Sequence, residues 1–102
     1  ISTEVSGNDL ILSYVIYNTF PNANLENANF KNASLQFVNF YSADLINADL
    51  SGADLTKSYL ANADLTGANL TDAILTDAEL SEGTITAGTI LNCIGHPICL
   101  SE

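Results

Sequence analysis

Two sets of side chains in this 102-residue sequence could do chemistry. The first is a series of carboxylates at fixed intervals, Asp44, Asp49, Asp54 and Asp64, with Asn24, Asn29, Asn39 and Asn69 on the same interval. Paired carboxylates can exchange a proton or hold calcium. The second set is Cys93, His96 and Cys99 near the C-terminal end of the sequence. Two thiols and an imidazole could ligate a metal, but a tetrahedral site needs a fourth ligand and none is evident. Cys93 and Cys99 enclose five residues, with Gly95 and Pro97 to turn the chain back, so a disulfide-closed loop fits better than a metal site. His96 is then a polar loop residue. The sequence holds no nucleophile–base set, phosphate loop or full metal site, so no enzyme and no cofactor are expected.

The carboxylates recur because the whole chain recurs, and the interval is five. From Val5, every fifth residue is large and apolar: Leu10, Val15, Phe20, Leu25, Phe30, Leu35, Phe40, Leu45, Leu50 and Leu55, then Leu60, Leu65, Leu70, Leu75, Leu80, Ile85 and Ile90. A helix repeats its face every 3.6 residues and a strand every 2, so neither alone carries this period. The chain must bend at a fixed interval. With each large position called i, fourteen of the eighteen residues at i−2 are Ala, Ser or Gly. Side chains two apart on extended backbone point the same way, so i and i−2 line one narrow interior. Position i−1, which holds Asp9, Asn24, Asn29, Asn39, Asp44, Asp49, Asp54, Asp64 and Asn69, faces solvent. At i+2 stand Gly7, Asn22, Asn27, Asn32, Asn47, Gly52, Asn62, Gly67 and Asn92. Gly and Asn accept the positive φ of a type II turn, so each unit is a short extended stretch and a corner. Read this way, the carboxylates are a solvated face that keeps the protein soluble.

Ala-Asp-Leu-Thr-Lys (53–57), Ala-Asp-Leu-Thr-Gly (63–67) and Ala-Asn-Leu-Thr-Asp (68–72) resemble the pentapeptide-repeat family and its A-(D/N)-L-x-x motif. The resemblance covers about residues 3 to 92. It implies an all-β fold, a right-handed quadrilateral β-helix with one unit per side and four units per coil, hence about 4.5 coils for these eighteen units. Residues 1–92 would form the β-helix and residues 93–102 a C-terminal cap closed by the disulfide. A bridge suits an oxidising compartment, a thylakoid lumen or periplasm, with a reduced cytoplasmic cap as the alternative. Cyanobacterial and plant-lumen members of the family look like this.

Twelve acidic residues against two basic ones give a net charge of −10, which argues against nucleic acid or an anionic membrane as a partner. No apolar run approaches the ~20 residues of a membrane span. The functional expectation is a non-catalytic structural or protein-interaction module with an unknown protein partner. Its candidate surface is the set of large residues at outward positions near the N-terminal end, Tyr14, Ile16, Tyr17 and Phe37. An uncovered first coil beside them adds end-to-end self-association as an expected outcome. The alternative is a DNA mimic: some family members present an acidic rod to a type II topoisomerase, and on that reading Asp44, Asp49, Asp54 and Asp64 are the essential residues.

Overall fold

The structure is a computed structural model that describes residues 21–80 and 88–99. Parallel pairs run Asn24↔Asp44↔Asp64, Asn29↔Asp49↔Asn69, Ser34↔Asp54↔Ile74 and Asn39↔Tyr59↔Glu79. Each pair joins residues twenty apart, which is four five-residue units, so the chain closes a four-sided coil and climbs one strand spacing per turn. The first face carries Leu25, Leu45 and Leu65 inside, the second Phe30, Leu50 and Leu70, the third Leu35, Leu55 and Leu75, and the fourth Phe40, Leu60 and Leu80. Apart from Leu80, which is half-buried, these residues are fully buried, and so are Ala23, Ala28, Ala33, Val38, Ala43, Ala48 and Ala53 two positions before them. The interior is narrow enough that Phe30 and Phe40, on opposite faces of one coil, meet edge to face with ring centroids 5.8 Å apart.

From Leu25 to Ala78 every corner has the same construction. The N–H of the residue at i−2 donates back to the carbonyl at i of the preceding side, as Ala28 does to Leu25 (3.0 Å) and Ala48 to Leu45 (3.0 Å). The third residue of that turn lies at positive φ at every described corner from Asn22 to Asp77, which is the type II geometry expected at i+2. Two of these residues are glycine for a visible reason: a Cβ on Gly52 or Gly67 would overlap Oδ1 of Asn32 or Asn47 in the preceding coil. The ladder between coils uses the remaining groups. Leu25 N–H donates to Asp44 O (2.7 Å), Asp44 N–H to Ala23 O (2.8 Å) and Asn27 N–H to Ile46 O (2.8 Å), and the same three bonds repeat along the rod.

The last coil corrects the expected register. Ile90 pairs with Asn69, twenty-one residues away, not with the large inward position of Leu70. Ile90 therefore faces outward, 43% exposed, and Leu91 takes the inward place against the core. The cause is one extra residue between these coils. Gly88, at φ +83°, stacks over Gly67 as the corner. Asn92, expected at a corner, instead presents its carbonyl to Asp72 N–H at 2.7 Å. Phase is recovered by one missing residue, so that Ile94 pairs with Ile74 at the usual twenty, and the ladder runs to Ile94, past the boundary expected at residue 92. Ile85 lies outside the described residues.

Cys93 and Cys99 form a disulfide, which excludes them as metal ligands. Cys93 occupies a small inward position, buried, and the loop brings Ile98 and Cys99 back against the core. His96 is the hinge of this loop: its carbonyl accepts Cys99 N–H (2.9 Å) and its Nδ1 accepts Ile98 N–H (3.2 Å).

Candidate interaction surface

The corner bonds leave one backbone donor per unit, the N–H at i+1, without a place in the ladder. A buried or crowded N–H needs a partner. The outward Asp or Asn supplies it: Oδ1 of Asn24, Asn29, Asn39, Asp44, Asp49, Asp54, Asp64 and Asn69 each accepts the N–H two residues on, at 2.9 to 3.3 Å. This is an Asx turn repeated along the rod. Where i+1 is Ser or Thr, its hydroxyl donates to the same oxygen at 2.6 Å, as from Ser51, Thr56, Thr66 and Thr71. The carboxylates thus hold corners as well as facing solvent, a role that the solvated-face reading of the sequence did not include; at each of these corners the acceptor is Oδ1, which Asp and Asn have in common.

Asp54 carries the largest set of such bonds. Partial burial by itself pushes its pKa up, but the hydroxyl and N–H of Thr56 and the amide of Gln36, at 2.6 Å, outweigh that and hold the carboxyl below its ordinary value. Among the described residues no group of His, Cys, Asp or Glu is arranged to hold a metal ion, and no pocket forms. No helix among them is long and apolar enough to cross a membrane.

Of the four residues singled out as a candidate surface, Tyr14, Ile16 and Tyr17 lie outside the described residues. Phe37 is described, and its position is unusual. It stands at a corner of the rod with φ +63°, and the residue is 42% exposed. A left-handed backbone is an outlier for a bulky residue, and elsewhere these corners are mostly Asn, Gly, Asp or Ser. Lys57, one coil on, places its Nζ 5.6 Å from the Phe37 ring centroid, within cation–π range. Beside them Tyr41 and Tyr59 stack nearly parallel, ring centroids 5.7 Å apart, and Asn62 donates to the Tyr41 hydroxyl. Phe37, Asn39, Tyr41, Ser42, Lys57, Tyr59, Ala61 and Asn62 make up the outer side of the fourth face over two coils, with no carboxylate among them. The other three faces each carry an Asp at i−1 in the same two coils.

Tyr41 and Tyr59 were not singled out in the sequence, nor was a second apolar column formed by Ile74 and Ile94, which pair on the third face with Ile90 nearby in the last coil. The signal was present. Tyr59 and Ile74 interrupt an i−1 series that from Asn24 to Glu79 is otherwise Asp, Asn, Ser or Glu.

The model of the family described as pentapeptide repeats matches residues 18–52 and 48–83, with eight copies. Comparison with curated proteins returns no match. Among solved structures, HetL, a pentapeptide repeat protein involved in heterocyst differentiation regulation from the cyanobacterium Nostoc sp. strain PCC 7120, is 29% identical with a TM-score of 0.63. That similarity covers 76% of this chain and 36% of HetL, so the chain spans about a third of the length of that relative. Rfr23, a pentapeptide repeat protein of the cyanobacterium Cyanothece 51142, is 22% identical over 97% of this chain and 91% of its own, with a TM-score of 0.62, which speaks to the fold alone. A pentapeptide repeat protein of the Arabidopsis thaliana thylakoid lumen is 28% identical over 95% of this chain and 70% of its own, with a TM-score of 0.45. The motif, the twenty-residue ladder and the matched repeats agree: the chain belongs to the pentapeptide repeat family and folds as a right-handed quadrilateral β-helix.

Proposed function

We propose that this protein is a non-catalytic interaction module, and that its binding surface is the fourth face of the rod centred on Phe37, Tyr41, Lys57 and Tyr59. One observation carries the reading: a bulky aromatic residue occupies a corner whose backbone suits Asn or Gly, and its ring is turned to solvent. A left-handed backbone costs a non-glycine residue about 1–2 kcal/mol; the Lys57 contact offsets part of that in the isolated rod, and covering the exposed apolar surface offsets more. The absence of carboxylates along this strip favours a partner with apolar and uncharged polar groups, because each other face presents an outward Asp in the same two coils.

The Cys93–Cys99 bridge supports an oxidising compartment, a thylakoid lumen or periplasm, as the place of action. End-to-end self-association through the N-terminal coil remains part of the proposal, on residues outside the described set.

Phe37→Asn tests the surface without damaging the fold. Asn accepts the left-handed corner and stands at the equivalent place in Asn22, Asn27, Asn32, Asn47 and Asn62. The variant is expected to be as stable as the parent or more so, yet to lose partner capture, measured by crosslinking in extracts of the native compartment. Retained capture at full strength would end this assignment of the surface. Tyr59→Asn, which restores an outward Asx acceptor, provides an independent second variant on the same face.

A further inference from the structure

We propose that the C-terminal coil has two registers one residue apart, and that residues 88–92 exchange between them. The parallel pairs on either side of this segment, Tyr59↔Glu79 before it and Ile74↔Ile94 after it, span twenty residues, whereas Asn69↔Ile90 spans twenty-one. The segment is out of phase by one residue between two fixed points that are in phase.

The in-phase alternative is written in the residues themselves. A spacing of twenty places Gly88 over Ala68 at the small inward position, Thr89 over Asn69 outside, Ile90 over Leu70 inside and Asn92 over Asp72 at the corner. Each residue suits its place by the rules the rest of the rod follows. One does not: residue 87 would fall at the left-handed corner over Gly67, and it is Ala. The observed register puts Gly88 at that corner, at φ +83°, where a side chain would be strained. In exchange it turns Ile90 outward, brings Leu91 against the core, and seats Thr89 inward with its hydroxyl donating to Leu65 O at 2.7 Å.

Each register therefore buries one large aliphatic residue and exposes another, and each sets a gain against a misfit: Ala87 at the corner in one, an outward Ile90 and a residue missing before Cys93 in the other. That near-balance is what a bistable element requires. Slipping by one residue leaves the fixed points untouched, because Cys93 and Ile94 are already twenty residues from Ala73 and Ile74, so the disulfide persists in both states. The exposed surface changes: one register displays Ile90 outward near Ile94, the other displays Leu91 over Thr71 at the turn. A partner that covers either residue selects its register, which makes the last coil a conformational switch for whatever docks there.

The test uses the full 102-residue chain with Gly88→Ala, which strains the observed corner and supplies the family's usual residue at the in-phase inward position. Methyl NMR with a soluble paramagnetic agent reads the exposure of Ile90 and Leu91. The parent is expected to show Ile90 accessible and Leu91 protected, and Gly88→Ala is expected to move the balance by about tenfold and reverse the two. Ile90→Asp supplies the control. Alone it places a carboxylate outward in the observed register and is expected to leave stability unchanged. Combined with Gly88→Ala it is expected to cost more than the sum of the two, since the slipped register would bury the charge. Ile90 still accessible in Gly88→Ala, both methyl groups accessible through fraying, or additive costs in the double variant would each overturn the proposal.

Discussion

The outward Asp and Asn show how one residue does two jobs at once. The oxygen they share caps a corner N–H, and the second carboxylate oxygen of Asp adds charge to the surface. Asp54 makes the distinction measurable. Burial raises its pKa, but the Thr56 hydroxyl and N–H and the Gln36 amide lower it further, so the folded value lies below the ordinary one. A depressed carboxyl contributes stability that is present above the unfolded pKa, about 3.9, and is lost as pH falls through the folded value. Asp54→Asn keeps the acceptor for Thr56 N–H, and the Gln36 amide can rotate to meet the new donor. Urea unfolding as a function of pH is therefore expected to show a shallower acid-side loss in Asp54→Asn than in the parent, with little difference in the shape of the two profiles near neutrality. Ser58 is the opposite case. It is fully buried at the small inward position between Val38 and Ala78 of the neighbouring coils, and its hydroxyl has no hydrogen-bond partner among the described residues. An unpaired buried hydroxyl costs about 1–3 kcal/mol, so Ser58→Ala, which installs the residue found at most other positions of this kind, is expected to raise unfolding stability by about 1 kcal/mol. A loss of stability on that change would mean that the hydroxyl has a partner.

At the scale of the coil, the period of five made the interior and the corners legible before any coordinates. Leu25, Leu45 and Leu65 are buried and Asn22, Asn27 and Asn32 turn left-handed because only large-in, small-in and corner residues fit those places. What periodicity could not convey was a compensated slip. Ile85 and Ile90 continue the series without a break, so the pattern alone puts Ile90 inside. The register shows in backbone conformation, with Gly88 at a left-handed φ over Gly67, and a count of apolar residues is blind to that. The aromatic face was half legible for a similar reason: Phe37 violates the corner rule, but the stacking of Tyr41 on Tyr59 joins positions i+1 and i−1 of different coils, which no single column reveals. The disulfide acts on this same terminal element. Removing a bridge that closes so short a loop is expected to cost about 2 kcal/mol. Because each coil pairs only with its neighbours, that cost falls on the last coil. In Cys93→Ala/Cys99→Ala, hydrogen exchange is expected to accelerate at the amides of Leu70, Asp72 and Leu75, which donate to Ile90, Asn92 and Ile94, while Leu45 and Leu50 keep their protection. Uniform loss of protection along the rod would show that the bridge supports the whole fold.

For the molecule as a whole, the question is which surface the net charge of −10 serves. In the two coils that carry Phe37 and Tyr59, three faces each present an outward Asp and the fourth presents an aromatic strip without a carboxylate, so an approaching protein meets that strip with less repulsion. The DNA-mimic alternative assigns the opposite roles, with the carboxylates as the binding surface. Asp44→Asn/Asp49→Asn/Asp64→Asn separates the two, because Asn already performs the corner-capping task at Asn24, Asn29 and Asn69 and the fold should tolerate it. The triple variant removes three of the ten net negative charges while leaving every Asx oxygen in place. Its thermal midpoint is expected to stay close to that of the parent, and its solubility at low ionic strength to fall as self-repulsion weakens. Partner capture, scored beside Phe37→Asn, is expected to persist, with less dependence on salt. Capture lost in the carboxylate variant and kept in Phe37→Asn would instead make charge the recognised feature and return the acidic rod as the better account of this protein.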